Sequence, residues 1–204
     1  IRLSLVGSEM CIRDSILDRD AFEKELNELG SLRAKADAIR TRLAKSINTK
    51  YQENPAYYEN FSKRIKEALE LYKARTITEA EYLAKMRDIL EDYRTGKSAI
   101  AYPDRIRANV HAQAFYGVLT AIFSNEKLSV EPDFAAEMAL DITTIIEKHS
   151  QVDWTHNLTI HDRISQDIDD LFYRYQKERG LVLSFDVIDM IIENVKTVAL
   201  RRFA

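Results

Sequence analysis

The sequence predicts an all-α fold, a multi-helix bundle of about eight helices with no significant sheet. The 204 residues contain only five glycines and three prolines, so the chain lacks the residues that the many tight turns of an all-β fold require. From residue 17 onward, apolar residues recur at intervals of three or four, which is the spacing of one helix face. With 46% hydrophobic and 31% charged residues, the chain is expected to bury a core.

Four helices are predicted in the first half, because four start or stop signals follow one another there. A C′ glycine, a serine cap, a proline at the first helical position and a Thr-x-x-Glu capping box each mark a boundary. In chain order these signals are Gly30 after the first helix, Ser31 before the second, Pro55 in the third, and Thr78 with Glu81 in the fourth. The apolar face of the second helix is predicted to follow Leu32, Ala36, Ile39, Leu43 and Ile47.

Four more helices are predicted in the second half. The fifth runs to about Phe123, with Ile106, Val110, Ala114, Val118 and Ile122 pointing inward. Gly117 lies in the interior of this helix. An interior glycine costs about 1 kcal/mol relative to alanine unless another helix packs closely there. Three residues mark the remaining boundaries: Pro132 opens the sixth helix, Gly180 closes the seventh and Ser184 caps the eighth.

The predicted domain organisation has three parts. Residues 1–15, IRLSLVGSEMCIRDS, contain the single cysteine Cys11 and resemble translated sequencing adaptor, with a genuine strand or linker as the alternative. On the adaptor reading, the chain is a fragment of a longer protein. Residues 16–96 form an N-terminal helical half with a helical hairpin, and residues 97–204 a C-terminal helical bundle. One continuous domain over 16–204 is the alternative.

Composition restricts the compartment and the partners. A lone cysteine excludes an internal disulfide and fits a reducing compartment, and no apolar run reaches the roughly 18 residues of a membrane span. A cytoplasmic location without membrane contact is therefore predicted. The net charge of -3 argues against a chain built wholly for nucleic acid.

No catalytic, cofactor-binding or metal residue is predicted. The sequence contains neither a Walker-type phosphate loop nor a GxGxxG fingerprint. His156 and His161 lie five residues apart, whereas a helical zinc site uses a spacing of three or four. Asp153 and Asp162 could complete a metal cluster across a turn, but surface and helix-capping roles are the favoured interpretation of all four residues.

The strongest charge feature is the second helix, where basic side chains are opposed only by Asp37. A solvated helix face is the favoured interpretation, and contact with DNA phosphates is the alternative. The candidate phosphate contacts are Arg33, Lys35, Arg40, Arg42 and Lys45.

Three aromatic residues are candidates for a partner interface or for holding helices together, since tyrosine and tryptophan serve both purposes. They are Tyr57, Tyr102 and Trp154. For Trp154, pinning two helices is favoured over exposure to a partner.

Seven segments in order resemble one family. They are GSLRAKAD at 30–37, NPAYY at 54–58 with FS at 61–62, ITEAEYL at 77–83, AFYGV at 114–118, VDWT at 152–155, IDDL at 168–171 and LSFDVID at 183–189. From about residue 18 to the end, their order and spacing resemble the helical C-terminal region of the R (restriction) subunit of type I restriction-modification enzymes. Each segment alone is common in helical proteins, and the resemblance rests on the whole set in this order.

The resemblance implies a role in defence against foreign DNA. An R subunit of this kind joins an ATP-dependent DNA translocase to an endonuclease, and ATP and Mg²⁺ belong to those domains, which precede this region. The C-terminal region resembles the part that docks the R subunit onto the modification (M) subunit, with DNA reached through the whole complex. No catalytic residue is carried over. The alternatives are a helical DNA-contacting or scaffold module with no enzymatic context, and a small helical enzyme using the histidine cluster.

Overall fold

A computed structural model describes residues 18–97, 100–151 and 154–203, and in these ranges the all-α prediction is confirmed. They contain eight α-helices, three short 3₁₀ helices and no strand. The adaptor-like residues 1–15 lie outside the described residues. The α-helices are α1 (Arg19–Glu28), α2 (Leu32–Lys50), α3 (Pro55–Lys73), α4 (Glu79–Thr95), α5 (Val110–Asn125), α6 (Pro132–His149), α7 (Leu158–Arg179) and α8 (Phe185–Arg202).

The described residues divide into two compact units. The first comprises the described residues up to 50 together with those in 58–100, and the second comprises 51–57 together with the described residues from 101 onward. A seven-residue segment between α2 and the body of α3 therefore belongs with the helices of the second half. The division at residue 96 predicted from the sequence places this segment with the N-terminal helices instead.

In the first unit, α2 packs against both α1 and α4. Its buried face consists of Ala36, Ile39, Leu43 and Ile47, as the periodicity predicts. The Ser31 hydroxyl accepts from the Ala34 backbone N–H at 3.0 Å, which confirms the predicted cap. The core of this unit includes Phe22, Phe61 and Tyr82, which are all fully buried.

The capping box at the start of α4 is confirmed. The Thr78 hydroxyl accepts from the Glu81 backbone N–H at 3.2 Å, and the Glu81 carboxylate accepts from the Thr78 backbone N–H at 2.7 Å. These bonds to Thr78 lower the pKa of the Glu81 carboxyl, because they favour its charged form. At the other end of α4, Gly96 adopts a left-handed conformation with φ 70°.

Removing the cap should destabilise the first unit. Thr78→Ala deletes the side-chain acceptor and is expected to lower the free energy of unfolding by about 1 kcal/mol. Urea titration followed by circular dichroism measures this loss. Thr78→Ser keeps the hydroxyl and should recover most of it, and an alanine variant as stable as the parent would contradict the capping role.

The second unit is built on a four-helix bundle. Helix α5 contacts α6 and α8, and α7 contacts the same two helices, so the four form a closed ring. Their inward faces make one continuous core, in which Phe115, Leu119 and Phe172 are fully buried. The 3₁₀ helix Asp104–Ile106 contacts α5 and α6, and the 3₁₀ helix Tyr51–Glu53 contacts α8.

Two predicted core positions are wrong. Leu32 is 44% exposed and Val110 is 57% exposed. Each is the first residue of its helix, and helical side chains tilt toward the helix N-terminus. A side chain at the first position therefore leans past the helix end, beyond the cover of its neighbours.

The interior glycine of α5 has the close neighbour that its position predicts. A Cβ built on Gly117 would lie 2.7 Å from the Cβ of Ala56, in the first turn of α3. That distance is shorter than real side-chain contacts allow. Glycine is therefore required where the 51–57 segment packs on α5.

Candidate functional site

Along one side of α2, basic side chains lie within ion-pair distance of a carboxylate. Arg33 lies 3.7 Å and Arg40 3.4 Å from the Asp37 carboxylate. The Tyr82 ring is fully buried; burial first, and the nearby Asp37 charge second, raise the pKa of its hydroxyl. Asp37 thus lies close to two arginines on this flank, and Arg40 is only partly exposed.

Arg42 lies in a different environment. It donates to both carboxylate oxygens of Glu25 in α1, at 2.7 and 2.8 Å, and its guanidinium carbon lies 5.4 Å from the centroid of the Phe22 ring. Lys35 is half-buried, Lys45 is exposed, and within the described residues neither forms an ion pair. The five predicted phosphate contacts therefore differ in their surroundings: three arginines lie against carboxylates, whereas in the described part of the chain the two lysines do not.

Two basic residues follow Tyr72 at the C-terminal end of α3, and a third lies near its ring; we call the four residues the Tyr72 corner: Arg33, Tyr72, Lys73 and Arg75. The Arg33 guanidinium carbon lies 6.0 Å from the centroid of the Tyr72 ring. The Arg75 backbone N–H donates to the Tyr72 carbonyl at 3.0 Å. Lys73 and Arg75 are exposed, and in the described part of the chain neither forms an ion pair.

The backbone at the Tyr72 corner is unusual for an arginine. Hydrogen bonds from Arg75 to Tyr72 and from Thr76 to Leu71 end α3 in a Schellman motif. Arg75 occupies its left-handed position with φ 57°, where glycine is normally found. Sequence reasoning missed Lys73 and Arg75; the available signal was a helix end without a C′ glycine.

The aromatic candidates of the second unit have distinct surroundings. Tyr57 is half-buried, and its backbone N–H donates to the Asn54 side chain at 3.2 Å. Tyr102 is also half-buried and meets Tyr116 edge to face, with 6.0 Å between ring centroids. Both residues are therefore partly covered by other residues of the second unit.

Trp154 is deeply placed, with 3% of its surface exposed. Its Nε1–H donates to the Phe203 carbonyl at 3.0 Å, which ties it to the residue that follows α8. The His161 ring of α7 meets the indole edge to face at 5.7 Å. Little of the indole surface is left for a partner.

The histidine alternative has less support in the described residues. His161 packs on Trp154, His156 is exposed, and Asp153 lies outside the described residues. Across 18–97, 100–151 and 154–203, no group of three or more His, Cys, Asp or Glu side chains is arranged to hold a metal ion.

Exposed apolar side chains of the second unit concentrate on α7, α8 and the turn that joins them. Val182 is 82% and Phe185 84% exposed. The turn that carries them is fixed, because the Gln176 side-chain amide donates to the Leu183 carbonyl at 2.9 Å. The Ser184 hydroxyl also accepts from the Val187 backbone N–H at 3.3 Å. The exposed set on this hairpin is Leu158, Tyr173, Val182, Phe185 and Met190.

Of the helices described, none combines the length and apolar character needed to cross a bilayer.

The chain was compared with protein families, curated proteins and solved structures. No curated protein and no solved structure matches it. A family model described as type I restriction enzyme HindI endonuclease subunit-like, C-terminal, matches residues 12–199. The match begins inside the adaptor-like segment and covers nearly all of the chain. It confirms the resemblance read from the ordered segments: the chain belongs to the family of C-terminal regions of type I restriction enzyme HindI endonuclease subunit-like proteins.

Proposed function

We propose that this chain is an assembly module that docks the R subunit of a type I restriction endonuclease onto its M subunit. The observation that carries the proposal is the family match over residues 12–199. ATP-driven translocation and DNA cleavage, with their ATP and Mg²⁺, take place in other domains of the R subunit, and DNA is reached through the whole cytoplasmic complex. The chain itself contributes binding and no catalytic residue.

The α7–α8 hairpin is the best surface on which to place the contact. Interface cores are rich in aromatic residues and Met and poor in charge, and the hairpin exposes Phe185, Tyr173 and Met190 together with Val182. Phe185 and Val182 stand on a turn held by side-chain hydrogen bonds. A rigid apolar anchor loses little side-chain entropy on binding, which suits a lasting assembly contact.

Capture by the cognate M subunit tests the proposal. Circular dichroism first establishes that the chain is helical, and the M subunit is then used as bait at low and moderate salt. Capture at both salt concentrations is expected, because contacts between apolar groups are not screened by ions. A helical chain that the M subunit fails to capture would contradict docking by this chain.

The surface is tested with paired substitutions. Val182→Ser with Phe185→Ser should weaken capture by about tenfold or more, since truncated interface anchors typically cost more than 1 kcal/mol. Val110→Ser is the matched control, because Val110 is also an exposed valine of the second unit but lies on α5. If control and hairpin variants bind equally, the contact lies elsewhere on the chain.

A further inference from the structure

We infer that Arg202 and His111 form a pH-sensitive latch, which holds the 51–57 segment on α8 only while His111 is neutral. All the residues involved belong to the second unit. The inference goes beyond the proposed docking role and does not depend on it. It rests on three hydrogen bonds that one guanidinium donates, and on the ring nitrogen that accepts one of them.

The Arg202 guanidinium, at the end of α8, joins two other parts of the second unit. Its Nη1 donates to the Glu53 carbonyl at 3.1 Å, and its Nη2 donates to the Val110 carbonyl at 3.0 Å. Its Nε donates to Nδ1 of His111 at 3.3 Å. The guanidinium is planar and rigid, so its donors move together. Displacing Arg202 from one acceptor therefore disturbs its bonds to the other two.

The bond to His111 fixes the protonation state of the imidazole. The nitrogens of an arginine side chain only donate, so Nδ1 of His111 must act as the acceptor. An imidazole that accepts at Nδ1 is neutral, with its proton on Nε2. A protonated ring has donors at both nitrogens, and it would place a second positive charge against the guanidinium. The latch is therefore compatible with a neutral histidine and not with a charged one.

The surroundings of His111 favour its neutral form. The Phe203 ring lies against the imidazole, with 4.4 Å between ring centroids. Burial is the largest effect and lowers the pKa of His111, and the Arg202 charge lowers it further. Glu147 of α6 acts in the opposite direction, but more weakly. His111 also lies in the first turn of α5, where the helix dipole disfavours a positive charge.

The second unit should lose stability as the pH falls below 6.5, the ordinary pKa of a histidine. Above this pH, His111 is neutral in the folded and unfolded chains, and its contribution to stability is complete. Below it, the unfolded chain binds the proton first, so stability is lost until the lowered pKa of the folded chain is reached. The folded chain then has two adjacent cations, and Arg202 is expected to leave the carbonyls of Glu53 and Val110.

Other contacts limit how far the 51–57 segment is released. Arg201 donates to the Gln52 side chain at 2.8 Å, and Ala56 lies close to Gly117 of α5. Neither contact includes His111. The segment is therefore expected to loosen around Glu53 rather than to detach from the bundle.

An NMR titration of the 204-residue chain between about pH 5 and pH 8 tests the latch, because histidine changes charge in this range. The His111 ring signals, identified by their absence in His111→Gln, should give a pKa below 6.5. The Asn54 backbone N–H shares a peptide group with the Glu53 carbonyl, so its signal should shift with the same pKa. In His111→Gln, the new side chain can accept from Arg202 but binds no proton, so the Asn54 signal should stay in place.

Arg202→Gln and Arg201→Gln are a matched pair, since each removes one positive charge from the end of α8. Arg202→Gln should raise the pKa of His111 by removing the adjacent cation. Arg201→Gln should leave that pKa unchanged, because Arg201 is bonded to Gln52. Equal effects of the two substitutions would mean that only net charge matters, and they would overturn the inference. So would a parent His111 with a pKa of 6.5 or above, or an Asn54 signal that shifts alike in the parent and in His111→Gln.

Discussion

Replacing Trp154 by alanine should lower the free energy of unfolding by about 3–5 kcal/mol, the usual cost of truncating a buried aromatic side chain. The indole is 3% exposed, packs against His161 and donates its N–H to the Phe203 carbonyl. The variant therefore loses apolar burial and leaves a carbonyl near the end of α8 without its donor. Urea unfolding followed by circular dichroism measures the loss.

Phenylalanine at position 154 separates the two contributions. Trp154→Phe retains much of the apolar volume but cannot donate to Phe203, so a smaller loss of about 1–2 kcal/mol is expected. Since Trp154 is the single tryptophan, the emission of the parent protein reports on its surroundings and should shift to longer wavelength on unfolding. An alanine variant as stable as the parent would show that the indole is not packed between these helices.

Replacing Gly117 by valine is expected to cost about 3 kcal/mol, because overfilling a packed interface typically costs 1–3 kcal/mol and valine adds three carbons there. The Cβ alone would lie 2.7 Å from the Ala56 Cβ. Gly117→Ala should cost less, about 1–2 kcal/mol, since the clash is partly offset by about 1 kcal/mol of improved helix propensity. Thermal and urea unfolding of both variants measure the two losses of stability, and the loss should be larger for valine than for alanine.

A compensating substitution makes this prediction specific. Ala56→Gly removes the atom that a new Cβ at position 117 would strike, so the double variant with Gly117→Ala should recover most of the lost stability. Gly30→Ala serves as the control, because a Cβ at Gly30 meets nothing within 4 Å. A double variant less stable than Gly117→Ala alone would place the clash on another neighbour.

The helix boundaries were predictable because their signals are local. Thr78 and Glu81 are three residues apart and satisfy each other's backbone. The hydroxyls of Ser31 and Ser184 each accept from a backbone N–H in the first turn of their own helix. The number and order of the helices followed from such signals together with the apolar period. The requirement for a close neighbour at Gly117 followed from the cost of an interior glycine, although Ala56 was not identifiable as that neighbour.

The candidate site was less predictable because it depends on contacts between helices. The charge pattern of α2 could not show that Arg42 is bound by Glu25, seventeen residues earlier, or that Asp37 serves two arginines. Arg75 was missed because the helix that ends there lacks the usual glycine. Leu32 and Val110 were misplaced because a periodic face does not reveal where the neighbouring helices stop covering it.

The assignment of residues 51–57 to the second unit has a consequence for the order of folding. Gln52 accepts a hydrogen bond from Arg201 at 2.8 Å, and the Glu53 carbonyl accepts one from Arg202, each across 149 positions of sequence. During synthesis, the early segment leaves the ribosome long before α8 exists, and the surface that receives it is completed only with the last turn of that helix. Contacts so distant in sequence slow folding, because a long loop must close before they form. The 51–57 segment is therefore expected to dock on the bundle late, although it is the earliest part of this unit to be synthesised.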